Sequence, residues 1–401
     1  MPALVPRRSL LAAGLATAVA LTVPTLAASP SGAAAQVVGT PALSPVVFGH
    51  RGASGYRPEH TLASYDLAVR LGADVIEPDL VSTKDHVLIA RHENDITGTT
   101  DVASRPEFAA RKTTKTVDAV TTTGWFTEDF TYAEIRRLRA VERLPDVRQE
   151  NTIENGRYQI PSLQDVLDLA ARETRITGRQ IGVAPETKHP TYFDGLGLSM
   201  EEALVATLRA NRLDTRDSPI YVQSFEEANL RELRSSFRVR VHLVQLTSAG
   251  TTARPYDHVV KGDPQTYAQM TTPAGLREVA QYADVLGPDK TQIFPRDAAG
   301  ATSTPTTLVQ DAHRAGIKVV PYTFRAENQF LPLQRRSSLD PNAYGDLFGE
   351  LQDFFAIGID GFFTDQPDLG FAAREDFLGF RYGVTHPQAS APRPTASAAA
   401  A

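Results

Sequence analysis

The sequence predicts an α/β protein folded as a TIM (β/α)8 barrel, with a small subdomain inserted after the second strand. Short runs rich in β-branched and aromatic residues alternate with amphipathic helical patterns, which is typical of parallel strands joined by crossover helices. The runs number eight, and polar residues follow several of them, where a barrel places its active site. A doubly wound open sheet is the alternative that alternation alone leaves open.

The predicted elements follow one another in a regular order. The first strand is the buried run at 45–49, and a helical pattern covers 60–71. The second strand covers 73–81. The remaining strands are predicted at 180–187, 220–224, 239–246, 284–287, 317–323 and 361–364. Stretches with apolar residues at helical spacing lie between most of these strands, at 162–173, 199–212, 273–283 and 304–315.

One segment interrupts this alternation. Residues 93–158 separate the second strand from its helix, are rich in Thr, Arg and Glu, and contain the single tryptophan, Trp125. A short helical pattern covers 131–140. A structureless loop of this length is uncommon inside a domain. The segment is therefore predicted to be a subdomain over the mouth of a barrel that spans 45–380.

The two ends of the chain are predicted to lie outside the barrel. Residues 1–35 combine Arg7-Arg8, an apolar run at 10–23 and an alanine-rich cleavage site, which is typical of a twin-arginine export signal. A membrane anchor is the alternative, disfavoured by Pro24 and the short run. Residues 36–44 are predicted to be a linker and 381–401 a disordered tail. The mature chain is expected to be extracellular, periplasmic or envelope-associated, without stable membrane insertion.

Composition excludes several kinds of protein. The net charge of −6 argues against a nucleic-acid binder, which would carry a basic face. A phosphate-bearing substrate stays open, because a metal ion reverses the local field in an acidic pocket. The chain has no cysteine, which excludes disulfides, thiolate nucleophiles and cysteine metal sites. Any metal must therefore be held by carboxylates, histidines, carbonyls or water.

Carboxylates gather at the ends of two neighbouring predicted strands. Glu77 and Asp79 lie near the end of strand two, where alternation points both to one side, and Glu186 ends strand three. A Glu-x-Asp pair is often only a solvated strand edge. Three carboxylates facing a barrel interior, however, have no structural purpose, because buried unpaired charge costs several kcal/mol. A divalent cation would relieve the repulsion, and all-oxygen ligation favours Ca²⁺, Mg²⁺ or Mn²⁺ over zinc.

Histidines and cations lie beside these carboxylates in the predicted barrel. His50-Arg51 ends strand one, Arg91-His92-Glu93 closes an extension of strand two, and Lys188 follows Glu186. A single histidine after a strand is commonly structural, and Lys188 could simply pair with a surface carboxylate. Their occurrence on three successive strands, together with the acidic residues, favours an active site.

These residues also resemble a known family. The string HRGASGYRPEHT at 50–61 resembles the opening motif of the glycerophosphodiester phosphodiesterase family, and the other site residues fall at that family's Glu-x-Asp, second histidine and Glu-x-Lys. Further segments resemble its exported, periplasmic-type branch, at 98–102, 115–116, 124–130, 160–163, 321–328 and 360–368. The resemblance covers roughly 45–370. His60 and Thr187 stand where many members have Asn and Ile, and His60 is expected to affect the pocket rim.

The resemblance implies hydrolysis of a small-molecule glycerophosphodiester to glycerol 3-phosphate and an alcohol, through a cyclic phosphate. It implies a divalent cation, with Ca²⁺ expected ahead of Mg²⁺ or Mn²⁺. The implied roles are metal ligation by Glu77, Asp79 and Glu186, acid–base catalysis by His50 and His92, and phosphate binding by Arg51 and Lys188. Separately, the positions of Gln223, Tyr322 and Phe324 at strand ends predict contact with the organic moieties, with barrel packing as the alternative for the two aromatic rings. Which histidine acts first as the base, and the oligomeric state, are left open.

Other functions remain compatible with the same barrel. The substrate could be a lipid phosphodiester or a glycerophosphate polymer of the cell wall, and the barrel could also be a secreted binding protein without catalysis. A glycosidase would use two carboxylates as acid and nucleophile. It would leave His50, Arg51 and Lys188 unexplained.

Overall fold

The computed structural model describes residues 44–381, in which helices alternate with parallel strands around a barrel. The strands are β1 Val46–His50, β2 Val75–Glu77, β3 Asp79–Ser82, β4 Leu88–Ala90, β5 Thr113–Val117, β6 Val120–Gly124, β7 Gly182–Val183, β8 Glu186–Thr187, β9 Tyr221–Ser224, β10 His242–Thr247, β11 Val285–Pro288, β12 Lys318–Val319 and β13 Gly361–Thr364. The predicted signal, most of the linker and the tail beyond Arg381 lie outside the described residues.

Helices cover the outside of the barrel between consecutive strands. They are α1 Leu62–Arg70, α2 Tyr132–Ile135, α3 Leu163–Thr177, α4 Pro190–Gly195, α5 Glu201–Ala210, α6 Glu227–Ser235, α7 Tyr256–Lys261, α8 Tyr267–Met270, α9 Pro273–Val279, α10 Lys290–Ile293, α11 Leu308–Arg314, α12 Leu347–Ala356 and α13 Pro367–Arg381. In the part of the chain that the structure describes, none is long and apolar enough to span a bilayer.

The strands close into a ring. One ladder runs β13-β1-β2-β7 and the other β12-β11-β10-β9-β8-β3-β4, with β2 and β3 sharing the second strand position and β7 and β8 the third. A parallel bridge from Phe324 to Thr364 joins the segment after β12 to β13 and completes the barrel. The predicted TIM barrel is confirmed, and the open sheet is wrong.

A break at Pro78 divides the second strand between two neighbours. Proline lacks the backbone N–H that a central strand needs, so the ladder is interrupted there. Before the break, β2 pairs with β1 and Glu77 lies opposite His50. After the break, β3 pairs with β8 and Asp79 lies opposite Glu186. The break therefore brings carboxylates from two strand positions beside one another.

The apolar interior of the barrel lies directly beneath these polar residues. It contains Phe48, Val75, Ala184, Val244, Leu246, Val285, Val320 and Phe363, all nearly inaccessible to solvent. Because alternate residues of a strand face the same side, the residue two positions further points the same way. In four cases that residue is acidic or a histidine: His50 after Phe48, Glu77 after Val75, Glu186 after Ala184 and Asp365 after Phe363.

Several predicted elements are shorter in the structure than the sequence pattern suggested, including the helical patterns at 273–283 and 304–315, which form Pro273–Val279 and Leu308–Arg314. The seventh strand, predicted at 317–323, pairs as a regular strand only at Lys318–Val319. The helical pattern at 131–140 forms only the single turn of α2. It stops there because the following backbone N–H groups bind elsewhere: that of Arg139 donates to Asp101 Oδ1 and that of Ala140 to the Tyr158 carbonyl.

The chain reverses direction after the second strand instead of extending it. It turns after Ser82, and β4 returns antiparallel to β3. His92 follows β4, so the interpretation that it closes an extension of strand two is wrong. The preceding Arg91 is almost fully buried and donates to the carbonyls of Glu59, His60 and Thr99. These bonds hold the β4 end beside the loop that follows β1.

The inserted segment has its own secondary structure. It contains the β5–β6 hairpin, α2 and 3-10 turns at Asp101–Ser104, Pro106–Arg111, Thr127–Asp129 and Gln149–Glu154. Trp125 is buried within it and donates its indole N–H to the Phe108 carbonyl at 2.7 Å. Trp125 therefore has a structural role inside this segment.

Arg148 fastens the inserted segment to the barrel. Its guanidinium donates to Glu327 Oε1 at 2.7 Å, to Asp365 Oδ2 at 2.6 Å and to the Ser54 carbonyl at 2.9 Å. The side chain is only 6% exposed. Burial opposes its charge, but Asp365 and Glu327 raise the Arg148 pKa above its ordinary value. One buried cation thus joins the insertion to three barrel loops, those after β1, β12 and β13.

Replacing Arg148 with leucine should destabilise the fold by about 3–5 kcal/mol, because the buried carboxylates of Glu327 and Asp365 would lose their partner. Urea unfolding at neutral pH measures the change. Arg137→Leu is the control: Arg137 is 57% exposed and pairs with Glu107 on the surface. Its loss should alter stability by no more than about 0.5–1 kcal/mol. Equal effects of the two substitutions would contradict the fastening role.

Candidate active site

A cavity of about 370 Å³ opens at the carboxyl-terminal ends of the barrel strands. Nine of the ten residues predicted from sequence line it: His50, Arg51, Glu77, Asp79, His92, Glu186, Lys188, Gln223 and Tyr322. Five strand positions of the barrel, together with the segment that follows β4, therefore contribute side chains to this cavity. This is the position at which barrels of this class carry their chemistry.

The three carboxylates form a compact, buried cluster. One oxygen from each of Glu77, Asp79 and Glu186 lies within 4.8 Å of the others. Burial, and then the neighbouring charges, raise the pKa of Glu77 well above its ordinary value. Burial also raises the pKa of Glu186 to about 8, against the opposing effect of Lys188. These carboxylates repel one another, and a cation between them would relieve that repulsion.

The donor set fits a hard divalent cation. Asp79 Oδ1 is buried and has no hydrogen-bond partner among the described residues, so it keeps a free lone pair. All three ligands are carboxylate oxygens, the type that Ca²⁺, Mg²⁺ and Mn²⁺ prefer. The cluster therefore offers the type of oxygen ligand that such an ion needs.

A second layer of hydrogen bonds holds the ligands in place. His60 Nε2 donates to Asp79 Oδ2 at 2.9 Å, and Tyr65 Oη donates to His60 Nδ1 at 2.8 Å. The Arg51 N–H donates to Glu77 Oε2 at 2.7 Å. His60 is fully buried at φ +55°, in a left-handed region where Asn and His are enriched among non-glycine residues. The expectation that His60 affects the pocket rim is therefore wrong, since it supports a ligand from below.

His50 is oriented by a buried carboxylate from the last strand. Its Nδ1 lies 2.6 Å from Asp365 Oδ1. Burial would raise the pKa of Asp365, but Arg325 and Arg148 hold it well below its ordinary value, so Asp365 accepts and Nδ1 carries the proton. Burial, with Arg51, lowers the His50 pKa to about 4. The ring is neutral near pH 7, with Nε2 as its proton-accepting nitrogen.

His92 has the same arrangement with a different carboxylate. Its Nδ1 donates to Glu93 Oε1 at 2.5 Å, and its Nε2 accepts from Lys188 Nζ at 3.1 Å. Burial lowers the His92 pKa well below its ordinary value, and the charges of Arg51 and Lys188 act in the same direction. Both imidazoles are thus neutral, hold the proton on Nδ1 and offer Nε2.

Two cations complete the site. Arg51 donates to Glu59 Oε2 at 2.9 Å, while its Nε is buried without a hydrogen-bond partner among the described residues. Lys188 Nζ donates to Glu186 Oε1 at 2.8 Å, which leaves it further donor capacity. These groups can supply hydrogen bonds to an anionic oxygen beside the carboxylate cluster.

Phe324 does not line this cavity, and its predicted substrate contact is corrected. It is fully buried, and its ring packs edge-on against Phe354 of α12, with centroids 4.8 Å apart. Tyr322, two residues earlier, does line the cavity and donates to the Thr247 carbonyl at 3.0 Å. Phe225 is the aromatic ring beside it, 5.9 Å away. Gln223 also donates to Glu77 Oε1 at 3.2 Å, so it contacts a ligand directly.

Sequence reasoning missed several residues around the cavity. Asp365 immediately follows a predicted strand, and the rule that barrel chemistry lies at strand ends could have identified it. Glu93 stood in a quoted string but received no role. Lys290, Arg296 and Arg325 also line the cavity. Lys290 begins α10 and Arg296 lies in the loop after it, where the sequence carried no recognisable motif, whereas Arg325 lies in the segment 321–328 that the sequence analysis named without assigning it a role.

The chain is similar to known proteins in sequence and in fold. A model of the "Glycerophosphoryl diester phosphodiesterase family" matches residues 50–369. A glycerophosphodiester phosphodiesterase of Arabidopsis thaliana is 34% identical over 80% of this chain and 83% of its own. One of Haemophilus influenzae is 27% identical over 81% and 88%. A crystal structure of an Oleispira antarctica phosphodiesterase with the product sn-glycerol-3-phosphate has a TM-score of 0.54 at 18% identity, covering 83% and 97% of the two chains.

Calorimetric titration of metal-free protein with Ca²⁺ should show one binding site per chain. Asp79→Asn should weaken the affinity at least about tenfold, because it removes a charged ligand from the cluster. Glu226→Gln is the control, since Glu226 is also a buried carboxylate but lies outside the cluster. Unchanged affinity in Asp79→Asn, with the fold intact, would show that the cluster is not the metal site.

Proposed function

The chain belongs to the glycerophosphoryl diester phosphodiesterase family, a family of phosphoric diester hydrolases, and from that premise we propose the reaction performed by its site. The substrate is a glycerophosphodiester, and the products are glycerol 3-phosphate and an alcohol. The observation that carries the proposal is the buried carboxylate cluster flanked by two neutral imidazoles. Each imidazole has Nδ1 held by its own carboxylate, which leaves Nε2 for the reacting groups.

Arg51 and Lys188 bind the phosphate. A phosphodiester carries a negative charge that repels nucleophiles, so the site must place positive charge at its non-bridging oxygens. The Arg51 Nε has no other hydrogen bond to make, and Lys188 Nζ can turn from His92 toward the substrate. A divalent cation held by Glu77, Asp79 and Glu186 would supply Lewis-acid stabilisation at the same oxygens.

The two histidines move the protons. One imidazole takes the proton of the glycerol hydroxyl beside the phosphate as that oxygen attacks phosphorus, and the other protonates the departing alkoxide. The resulting cyclic phosphate is opened by water with the two roles reversed, which restores both rings. The acid must carry an extra proton at the start. A bound phosphate favours this, because a nearby negative charge raises the pKa of an imidazole.

We take Ca²⁺ as the ion. Its bonds of about 2.3–2.6 Å tolerate irregular arrangements of carboxylate oxygens, whereas Mg²⁺ demands near-ideal octahedra and retains most of its water. The three ligands come from three short strand ends whose spacing is set by the barrel. Such a rigid set of protein oxygens suits the more adaptable ion.

Incubation with glycerophosphocholine and Ca²⁺ should release glycerol 3-phosphate. His50→Ala and His92→Ala should each lower kcat by about 10² or more, because each removes a general acid–base group. Chelation should abolish activity, and added metal should restore it. Coupled detection of glycerol 3-phosphate measures all of these rates.

His313→Ala is the matched control for this experiment. His313 is 41% exposed and pairs with Asp360 away from the cavity, so its loss should leave kcat unchanged. Near-normal turnover in His50→Ala or His92→Ala would remove that residue from the mechanism. Failure of the wild type to release glycerol 3-phosphate from several head-group variants would overturn the proposed reaction.

We also propose that the protein is exported, on the strength of the segment 1–35. Replacing Arg7 and Arg8 by lysine should retain the chain inside the producing cell, because twin-arginine signals are read through that pair. Cell fractionation and immunoblotting measure this. Arg70→Lys, on the exposed face of α1, is the control and should leave the distribution unchanged. Unaltered export of the double-lysine variant would rule out this route.

A further inference from the structure

The β5–β6 hairpin of the inserted segment reaches from that segment to the rim of the active site. Most of its residues are exposed, so the barrel contributes little packing to hold it. Its two-residue turn, Asp118 and Ala119, has φ values of +47° and +66°. Left-handed backbone costs a non-glycine residue roughly 1–2 kcal/mol. The strand pairing of a two-residue hairpin imposes such values, and contacts made by the turn add to that pairing.

Those contacts form a chain of hydrogen bonds to His92. Asp118 Oδ2 accepts from His189 Nδ1 at 2.6 Å, and Glu93 Oε2 accepts from His189 Nε2 at 3.3 Å. The other oxygen of Glu93 accepts from His92 Nδ1 at 2.5 Å. The chain thus runs from the hairpin tip through a strand-three loop to a catalytic imidazole.

His189 joins two carboxylates, so both of its ring nitrogens act as donors. Burial and Lys188 oppose its charge, but the bonds to Asp118 and Glu93 raise its pKa to about 9. As an imidazolium it binds one oxygen of Glu93 and directs the other to His92. Arg143 Nη2, at 3.7 Å from Glu93 Oε1, is the other cation near this carboxylate. The Glu93 side chain is 39% exposed, so packing restrains it little. Its position is therefore set mainly by these polar partners.

We propose that Asp118, His189 and Glu93 are positioning residues that hold the His92 ring for proton transfer, so that the hairpin completes the active site. Glu93 keeps the proton on Nδ1 and thereby directs Nε2 to the substrate, as a carboxylate does behind a catalytic histidine. Loss of the hairpin contact would free Glu93 to rotate toward solvent. The inference rests on the proposed function for its kinetic readout.

The test uses the full-length, metal-loaded enzyme with glycerophosphocholine as substrate. Asp118→Ala, His189→Gln and Glu93→Gln should each lower kcat about tenfold, with KM within about twofold, the scale on which partners behind a catalytic or metal-bound histidine act. Asp118→Asn should lose less, because its amide oxygen still accepts from His189. Adding Asp118→Ala to Glu93→Gln should cause no further loss, because both act on one chain.

Thr121→Ala is the matched control. Thr121 is exposed on the same hairpin, and its hydroxyl pairs only with Thr116 across the strands. The kcat of Thr121→Ala should match that of the wild type. The metal content and the unfolding midpoint of every variant in the series should also match those of the wild type. If Asp118 merely anchors the hairpin, Asp118→Ala should have the kcat of the wild type, or its loss of kcat should add to that of Glu93→Gln in the double variant. Either result would overturn the proposal.

A spectroscopic readout separates this inference from the proposed reaction. In ¹⁵N-histidine spectra, with the His92 signals identified by their loss in His92→Ala, the wild type should show a single tautomer protonated at Nδ1. Asp118→Ala should show a mixture of tautomers. If the wild type is inactive but this difference appears, the proposed function fails while the positioning role stands. An unchanged His92 spectrum in Asp118→Ala would refute the positioning role regardless of activity.

Discussion

Three buried carboxylates whose oxygen atoms lie close together are the constraint on which the rest of this structure depends. Glu77, Asp79 and Glu186 stand one layer above an apolar interior, where like charges cannot remain together without compensation. Nearly every polar contact around them provides that compensation. Lys188 and Arg51 bring positive charge, and His60 donates to the one carboxylate whose pKa stays low. A cation between the three carboxylates would complete this balance.

The inserted segment contributes to the orientation of both histidines. Asp365, which holds His50, is itself held by Arg148 from the insertion. Glu93, which holds His92, is tied through His189 to the hairpin turn. The barrel supplies the two rings and Asp365, and the insertion supplies Glu93, which binds His92, and Arg148, which holds Asp365. Glu93 and Arg148 of this segment therefore help to hold groups at the strand ends in fixed positions.

The sequence predicted the order of the elements and most of the site. Its strand alternation placed Glu77 and Asp79 on one face, and nine of ten predicted residues do line the cavity. Errors arose where neighbours distant in sequence decide the outcome. The helical pattern at 131–140 forms only α2, because the backbone N–H groups that follow α2 donate to other parts of the insertion. Phe324 was assigned to the cavity, although the packing of α12 against the barrel draws its ring into the core.

The sequence by itself determined which residue types lie at the carboxyl ends of the strands, because side-chain alternation and strand order are local properties of the chain. The tertiary structure alone decided which groups orient them. His50 and Asp365 are 315 residues apart, and the hairpin turn and His189 are 71 apart. Such pairs meet only when the barrel closes and the insertion folds back over it, and no spacing along the chain encodes that meeting.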